Sequence, residues 1–202
     1  WLEKNKENKF FMFFHGYDSH GQFKVPEGYK GKFMSADYNG IYKGTTDEQR
    51  VLREKGLAEG SIDLSDEDVA FWRGWYDSKI RDADDRFARF WDSFSRMQLK
   101  NKTIVVILSD HGTEFYEHKR FDHGFSLYDE LVHVPLVFVV PGLESGKVVR
   151  EQVSTIDVAP TLFDVLGIDP GEKFRAQMRG TSLFSYLKNG KGVSRDVFME
   201  TD

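Results

Sequence analysis

The stretch TIVVILSDHGTEFYEHKRFDHGFSLYDELVHVPLVFVVPG, from Thr103 to Gly142, holds four of the six histidines of the chain between two strongly apolar runs. The first run ends directly at Asp110 and His111, and His118 and His123 follow within the next twelve residues. Apolar runs of this length, rich in β-branched residues, are typical of buried strands. We therefore expect a chemically active loop that follows the end of a strand.

Other apolar runs extend this interpretation into an α/β pattern. Short runs without polar alternation predict strands near residues 10–14, 103–109, 134–140 and 196–200. Apolar residues at helical spacing predict helices near residues 66–98 and 155–166. Strands that are separated by helices indicate a mostly parallel, mixed sheet sandwiched between helices.

The helix starts carry recognisable signals. Ser65 is a predicted N-cap, because three acidic residues follow it and helical apolar spacing begins there, in one long helix or two abutting ones. We assign Asp157 to the cap of the later helix, and the segment SLYDE predicts a further helix start. From Gly21 to Gly60 no sustained period is visible, which predicts a long irregular excursion with short helical turns.

Composition excludes several classes of protein. The 202 residues are 40% apolar, and a net charge of -5 without a long basic block disfavours a nucleic-acid or anionic-membrane partner. No apolar stretch approaches the roughly 20 residues that span a bilayer. Because the chain has no cysteine, disulfides, thiolate metal sites and a cysteine nucleophile are excluded within these residues. The start at Trp1 shows no initiator Met and no signal peptide, which suggests a longer parent chain.

Two histidine-bearing segments lie just beyond predicted strand ends. One is Asp110-His111, and the other runs from His15 to His20 and includes Asp18. In open α/β sheets, ligands bind beyond the carboxyl ends of the strands, so the two segments could meet at one site. A metal ion would neutralise Asp110 at the end of a buried strand and would also use the imidazole of His111.

Structural interpretations compete with these functional ones. An Asp-His pair after a strand is also typical of a turn or a helix cap, and His20 could be an ordinary loop residue. His118 is expected to orient the loop and His133 to be structural, whereas His15 stays ambiguous. His123 precedes a glycine, which leaves room for a ligand to approach the backbone.

The 103–142 stretch resembles the signature of sulfatases in the alkaline phosphatase superfamily. The segments FFMFFHGYDSH, YDSKIRDADDRF, STIDVAPTLFDVLGI and RGTSLFSYL resemble other segments of that family in the same order. The resemblance implies an alkaline phosphatase-like α/β domain, of which residues 1–202 form a part. An upstream nucleophile segment, with a Cys or Ser that is converted to formylglycine, and a small C-terminal subdomain are expected outside this chain.

The resemblance also implies roles for individual residues. Asp110 and His111 match the pair that binds a divalent cation, His20 matches a histidine that contacts the transferred group, and His123 sits where members place a sulfate-binding Lys or His. The implied cation is Ca²⁺ or Mg²⁺, although the imidazole makes Mn²⁺ or Zn²⁺ acceptable as well. We expect residues 1–202 alone to be inactive and to bind metal weakly or not at all.

The implied function is that of a metal-dependent sulfuric ester hydrolase, acting on a small-molecule or carbohydrate sulfate ester. Two alternatives remain open: a phosphate or phosphonate ester hydrolase or phosphotransferase of the same superfamily, and a non-catalytic anion-binding or metal-binding derivative. The missing part of its own catalytic domain is a further candidate partner. The resemblance is compatible with a periplasmic, secreted or lysosomal location, and a cytoplasmic one stays open.

Overall fold

The chain is divided into two compact units. The computed structural model describes residues 1–21, 24–192 and 194–201. Unit one comprises residues 1–99 and 111–132, and unit two comprises residues 100–110 and 133–202. In chain order the described α-helices and strands are α1 (Leu2–Asn5), α2 (Thr46–Glu59), α3 (Asp66–Arg96), β1 (Val105–Leu108), β2 (Glu114–Phe115), β3 (Phe121–Asp122), α4 (Asp129–Val132), β4 (Leu136–Val139), α5 (Val158–Leu166), α6 (Glu172–Arg175) and α7 (Phe184–Asn189), and short 3-10 helices lie at Glu27–Tyr29 and Thr155–Asp157.

Helix α3 organises unit one. Its start at Ser65 is a capping box, in which the Ser65 hydroxyl accepts from the Asp68 amide and the Asp68 carboxylate accepts from the Ser65 amide. The predicted cap is therefore confirmed, and the predicted helix is one continuous element of 31 residues. The buried core of unit one contains apolar residues of α3 and of the segments around it: Val25, Leu52, Ile62, Leu64, Phe71, Trp72, Trp75 and Phe121.

The prediction of an irregular excursion from Gly21 to Gly60 is wrong for its second half, which forms α2. The helix begins with a capping box between Thr45 and Glu48 and ends at Gly60, whose φ of 75° is left-handed. Its buried face is small and mixed, with Gln49, Leu52 and Gly56. A helix with so narrow an apolar face produces little periodicity, so only its two ends carried a signal in the sequence.

The predicted strands differ most from the structure. The runs near 103–109 and 134–140 form the shorter strands β1 and β4 of unit two, and these pair antiparallel with Val105 opposite Val139. Among the described residues, both sheets are two-stranded and antiparallel, so no mostly parallel sheet forms there. The crossover helix that a parallel connection requires is missing between β1 and β4, because α4 has only four residues.

The strands near 103–109 and 134–140 are thus confirmed, but the predicted strands near residues 10–14 and 196–200 are wrong. Neither segment is assigned to a strand, and Phe11 and Phe198 are 82% and 91% exposed. A strand is stable only when a neighbour satisfies its backbone groups and covers a face, and the described residues supply neither for these runs. Apolar composition alone therefore overstated their order.

The predicted helix near 155–166 is confirmed in unit two as a 3-10 turn, Thr155–Asp157, followed by α5. Asp157 lies at the start of α5, where its buried carboxylate accepts from the amides of Ser154 and Thr181 and pairs with Arg195. Asp157 is confirmed as the N-cap residue of α5 by its position, but its side chain makes no capping hydrogen bond to that helix and instead completes the capping box of the 3-10 turn with Ser154. The segment SLYDE begins the short helix α4. Of the described helices, none is long and apolar enough to cross a membrane.

Candidate functional site

Three histidines that are far apart in the sequence converge in unit one. One ring nitrogen of each of His20, His111 and His123 lies within 4.8 Å of the others. The ring centroids of His111 and His123 are 3.9 Å apart in a stacked arrangement, and His20 lies edge-on to them at 6.1 Å and 5.2 Å. We call this group the histidine cluster. All three side chains are half-buried, so a small ligand from solvent could reach them.

His111 is oriented by the residue that follows it. Its Nδ1 lies 2.7 Å from the carbonyl oxygen of Gly112, and because a carbonyl only accepts, Nδ1 is the protonated nitrogen. Gly112 donates its amide to the carbonyl of Leu131, and a Cβ on it would lie 2.0 Å from the carbonyl oxygen of Glu130. No other residue fits at 112, so the glycine fixes the loop that carries His111.

His123 is positioned by the β2–β3 hairpin. It directly follows β3, and its carbonyl accepts from Nε of Arg53 on α2 at 3.1 Å. Its Nδ1 lies 2.5 Å from Oδ1 of Asp122. Gly124 has a φ of +98°, which is unfavourable for residues with a side chain. The glycine is therefore required by the backbone, rather than only by the ligand space expected from the sequence.

Lys79, which the sequence analysis missed, lies beneath the segment that carries His20. Its residue is 2% exposed, and its ammonium donates to the carbonyls of His20 at 2.8 Å and Gly21 at 3.3 Å, and to Oε1 of Gln49 at 3.5 Å. Burial lowers the pKa of Lys79 to about 8, and the nearby charge of Asp122 opposes this. A lysine one turn after Trp75, on the apolar face of α3, was the available signal.

Burial also lowers the pKa of His20, and His123 acts in the same direction while Asp122 opposes it. His20 is therefore neutral at pH 7. Its amide donates to the carbonyl of Tyr17 at 3.0 Å, which closes the turn that presents the imidazole. The neutral ring offers one N–H donor and one acceptor.

Asp110 belongs to unit two, whereas His111 belongs to unit one. The Asp110 residue is exposed, so the cost of burying its carboxylate, on which the sequence argument for a metal relied, does not arise in this chain. The pairing of Asp110 with His111 as metal ligands therefore stays a prediction, and the described geometry that supports it concerns His111 alone.

The remaining histidines lie outside the histidine cluster. His118 has Nδ1 2.7 Å from a Glu130 carboxylate oxygen, and its ring stacks on Tyr128 at 3.4 Å. Its amide donates to the fully buried Glu114 at 2.9 Å, and these contacts agree with the expected role of orienting the loop. His15 is exposed with its ring 4.5 Å from that of Tyr17, and His133 is exposed in unit two.

Asp18, the acidic residue between His15 and His20, is exposed and lies 3.6 Å from Nε of Arg86 on α3. This contact ties the segment before His20 to the helix that also carries Lys79. Asp18 is thus placed as a surface ion-pair partner of α3.

Known proteins are similar to this chain in sequence and in fold. The family model described as Sulfatase matches residues 1–168. Arylsulfatase K of Mus musculus is 32% identical over 117 residues, which are 58% of this chain and 20% of that protein. Arylsulfatase K of Homo sapiens is 34% identical over 96 residues, 48% of this chain and 18% of that protein. The chain thus spans about a fifth of the length of these relatives.

Solved structures are also similar to this chain in fold. The phosphonate monoester hydrolase of Agrobacterium radiobacter superposes with a TM-score of 0.60 at 28% identity, over 66% of this chain and 26% of that one. A protein solved in complex with its substrate D-glucosamine-2-N,6-O-disulfate superposes with a TM-score of 0.53 at 25% identity, over 71% of this chain and 28% of that one. The described part of the chain is therefore alkaline phosphatase-like over the superposed regions.

The family model covers the segment of His20, the loop after β1, the β2–β3 hairpin and α3, which together carry the three converging histidines and the lysine beneath them. Because that match extends over 168 of 202 residues, this chain belongs to the sulfatase family of the alkaline phosphatase superfamily.

Proposed function

We propose that the chain contributes to the hydrolysis of a sulfate ester, with His20 and His123 contacting the transferred group and Asp110 and His111 binding a divalent cation. The observation that carries the proposal is the convergence of His20, His111 and His123. His20 comes together with the other two although at least 91 positions of sequence separate it from them. Sulfatase family membership supports the reaction class.

The tautomer of His111 suits a role as a metal ligand. Members of the sulfatase family typically use a divalent metal. With Nδ1 donating to the Gly112 carbonyl, the lone pair of His111 resides on Nε2, and ligand histidines usually have this arrangement. Asp110 would add a hard oxygen, so the pair suits Ca²⁺ or Mg²⁺ and, through the imidazole, also Mn²⁺ or Zn²⁺. A bound cation would lower the charge barrier to nucleophilic attack.

His20 and His123 suit contacts with a sulfate group. A sulfate ester presents charged oxygens that accept hydrogen bonds, together with a leaving oxygen that needs a proton. Imidazole N–H groups meet the first need, and an imidazolium meets the second. The pKa of His20 is lowered by burial, but a bound anion would favour its protonated form. Lys79 adds positive charge beneath the same segment.

A phosphonate or phosphate ester is the alternative substrate. The likeness to the phosphonate monoester hydrolase of Agrobacterium radiobacter favours it, because identity and TM-score are at least as high there as for the disulfate-bound structure. Comparing turnover of p-nitrophenyl sulfate with that of p-nitrophenyl phenylphosphonate by the complete protein separates the two. Faster hydrolysis of the phosphonate would replace the sulfate proposal.

The residue roles are tested by substitution in the complete, active protein. We expect His20→Ala or His123→Ala to lower turnover by roughly 10²-fold to 10⁴-fold, the range for loss of a general acid or an oxyanion donor. The loss should be smaller for an aryl sulfate than for an alkyl sulfate, because an acidic leaving group needs protonation less.

His133→Ala is the matched control, since His133 is exposed and is not one of the clustered histidines. It should leave turnover within about twofold, as for a surface substitution away from the site. If His20→Ala and His123→Ala lose turnover equally on aryl and alkyl esters, proton donation by these histidines is excluded. They would then only bind the substrate. Near-normal turnover in both variants would remove His20 and His123 from the site.

A further inference from the structure

Asp122 has the geometry of a residue that controls the imidazole next to it. It is 7% exposed and ends β3, directly before His123. Its Oδ1 lies 2.5 Å from Nδ1 of His123. An ionised carboxylate has no hydrogen to donate, so this contact requires a hydrogen on Nδ1 of the imidazole. Nε2 is then the ring nitrogen of His123 that remains available to a ligand at the histidine cluster.

The backbone of Asp122 is held in an unusual conformation. Its φ is +79°, in the left-handed region that residues with a Cβ rarely occupy and that Asp and Asn tolerate better than most. Such conformations persist where the surrounding structure enforces them, and they concentrate at functional sites. Here the left-handed residue closes the β2–β3 ladder, opposite Glu114, and its side chain contacts the following imidazole.

The second carboxylate oxygen of Asp122 faces the segment that carries His20. A Cβ built on Gly21 would lie 3.2 Å from Asp122 Oδ2 and 3.3 Å from Oε1 of Gln49, so the backbone of Gly21 packs directly against both groups. Lys79 donates to the carbonyls of His20 and Gly21 in the same segment. Asp122 therefore contacts the ring of His123 with one carboxylate oxygen and packs with the other against Gly21, the residue after His20.

We propose that Asp122 is the positioning residue of His123, and that it holds the neutral imidazole in the Nδ1–H tautomer, so that Nε2 is the nitrogen that takes up a proton and then contacts the bound group as an N–H donor. The inference deepens the proposed function, on which the role of Nε2 rests, while the tautomer itself is a property of the chain without substrate. A carboxylate or carbonyl partner on one ring nitrogen is the usual means by which proteins fix the other for a ligand.

Two substitutions at position 122 separate the effect of losing the hydrogen-bond acceptor from the effect of the left-handed backbone conformation. Asp122→Asn keeps an oxygen acceptor and tolerates the left-handed conformation, whereas Asp122→Gly accepts that conformation and removes the acceptor. Nitrogen-15 NMR of the imidazole rings reports the tautomer, at a pH about two units above the ordinary histidine pKa of about 6.5. His123→Gln assigns the His123 signals by their disappearance, and intact folding is checked by tryptophan fluorescence.

We expect His123 to be Nδ1–H in the wild-type chain and in Asp122→Asn. In Asp122→Gly it should shift toward Nε2–H, the commoner form of histidine in water. Turnover of the complete protein should fall by about 10-fold to 100-fold in Asp122→Gly, in kcat more than in KM, and less in Asp122→Asn.

Three results would overturn the inference: an Nε2–H His123 in the wild type, an unchanged tautomer in Asp122→Gly, or a switched tautomer in Asp122→Asn. The tautomer of His123 in the wild type still tests the inference if Asp122→Gly does not fold. If no preparation hydrolyses a sulfate ester, the proposed function fails, whereas the tautomer measurements still decide whether Asp122 orients His123.

Discussion

Lys79 is buried in surroundings that disfavour its charge. Its ammonium is stabilised there by hydrogen bonds to backbone carbonyls. Three oxygen acceptors, the carbonyls of His20 and Gly21 and the amide of Gln49, lie within 3.5 Å of it. A buried ammonium without partners would be very unfavourable, so these contacts hold the segment of His20 to α3. The lysine thereby links the longest helix to the histidine cluster.

The lowered pKa of Lys79 makes the stability of unit one depend on pH. An unfolded lysine titrates near 10.5 and the folded Lys79 at about 8, so between these values the unfolded chain binds a proton that the folded chain does not. The free energy of unfolding therefore rises with pH in this window, by about 3 kcal/mol in total. Lys79→Met should lack this rise.

Urea unfolding followed by tryptophan fluorescence measures the effect, because all four tryptophans, Trp1, Trp72, Trp75 and Trp91, belong to unit one. The unfolding free energy of the wild type minus that of Lys79→Met should increase between pH 7 and pH 10. A difference that stays constant over this range would show that Lys79 titrates in the folded chain as it does in the unfolded one.

At the scale of elements, α2 shows how a helix forms with little help from apolar periodicity. Its buried face is Gln49, Leu52 and Gly56, and Arg53 on the same helix donates to the carbonyl of His123. Because the apolar contribution is small, the capping box at Thr45 and the left-handed Gly60 define its ends. The helix in turn anchors the residue that follows β3.

We expect Thr45→Ala to lower the free energy of unfolding of unit one by about 1 kcal/mol, the usual cost of losing a helix N-cap. The substitution removes the hydroxyl that accepts from the Glu48 amide at 3.2 Å. Urea unfolding by tryptophan fluorescence measures it. The same change at Thr201, which is exposed and outside any helix, is the control, and equal stability of the two variants would contradict a role for the cap.

At the scale of the whole molecule, the three clustered histidines belong to one compact unit. His20, His111 and His123 all belong to unit one, while Asp110 belongs to unit two. The three imidazoles form a nitrogen-rich set, which suits Zn²⁺ better than Ca²⁺. The expectation that residues 1–202 bind metal weakly or not at all stays a prediction, and within it Zn²⁺ is the cation that these imidazoles would bind best.

Titration calorimetry of the chain tests this difference between cations. We expect Zn²⁺ to bind at least roughly tenfold more tightly than Ca²⁺, because imidazole nitrogen is a poor ligand for Ca²⁺. His111→Ala should weaken Zn²⁺ binding by roughly tenfold or more, whereas His133→Ala should not change it. Tight stoichiometric Ca²⁺ binding would mean that an oxygen-rich site exists in this chain.

The sequence alone determined the features that depend on neighbours along the chain. The cap at Ser65, the helical character of α3, the helix after Asp157 and the strand cores at Val105–Leu108 and Leu136–Val139 all follow from local patterns of polar and apolar residues, whereas the continuity of α3 was left open. The resemblance carried by the histidine-bearing loop identified the family, since motif residues keep their spacing along the chain.

Only the tertiary structure decided which residues meet. Local sequence does not encode strand partners, so the runs near 10–14 and 196–200 were expected as strands but remain exposed. The convergence of His20 with His123, and the positions of Lys79 and Asp122 beside them, arise from packing between α3, the β2–β3 hairpin and the His20 segment. A contact between residues 59 or 103 positions apart depends on the path of the whole chain, which no local pattern contains.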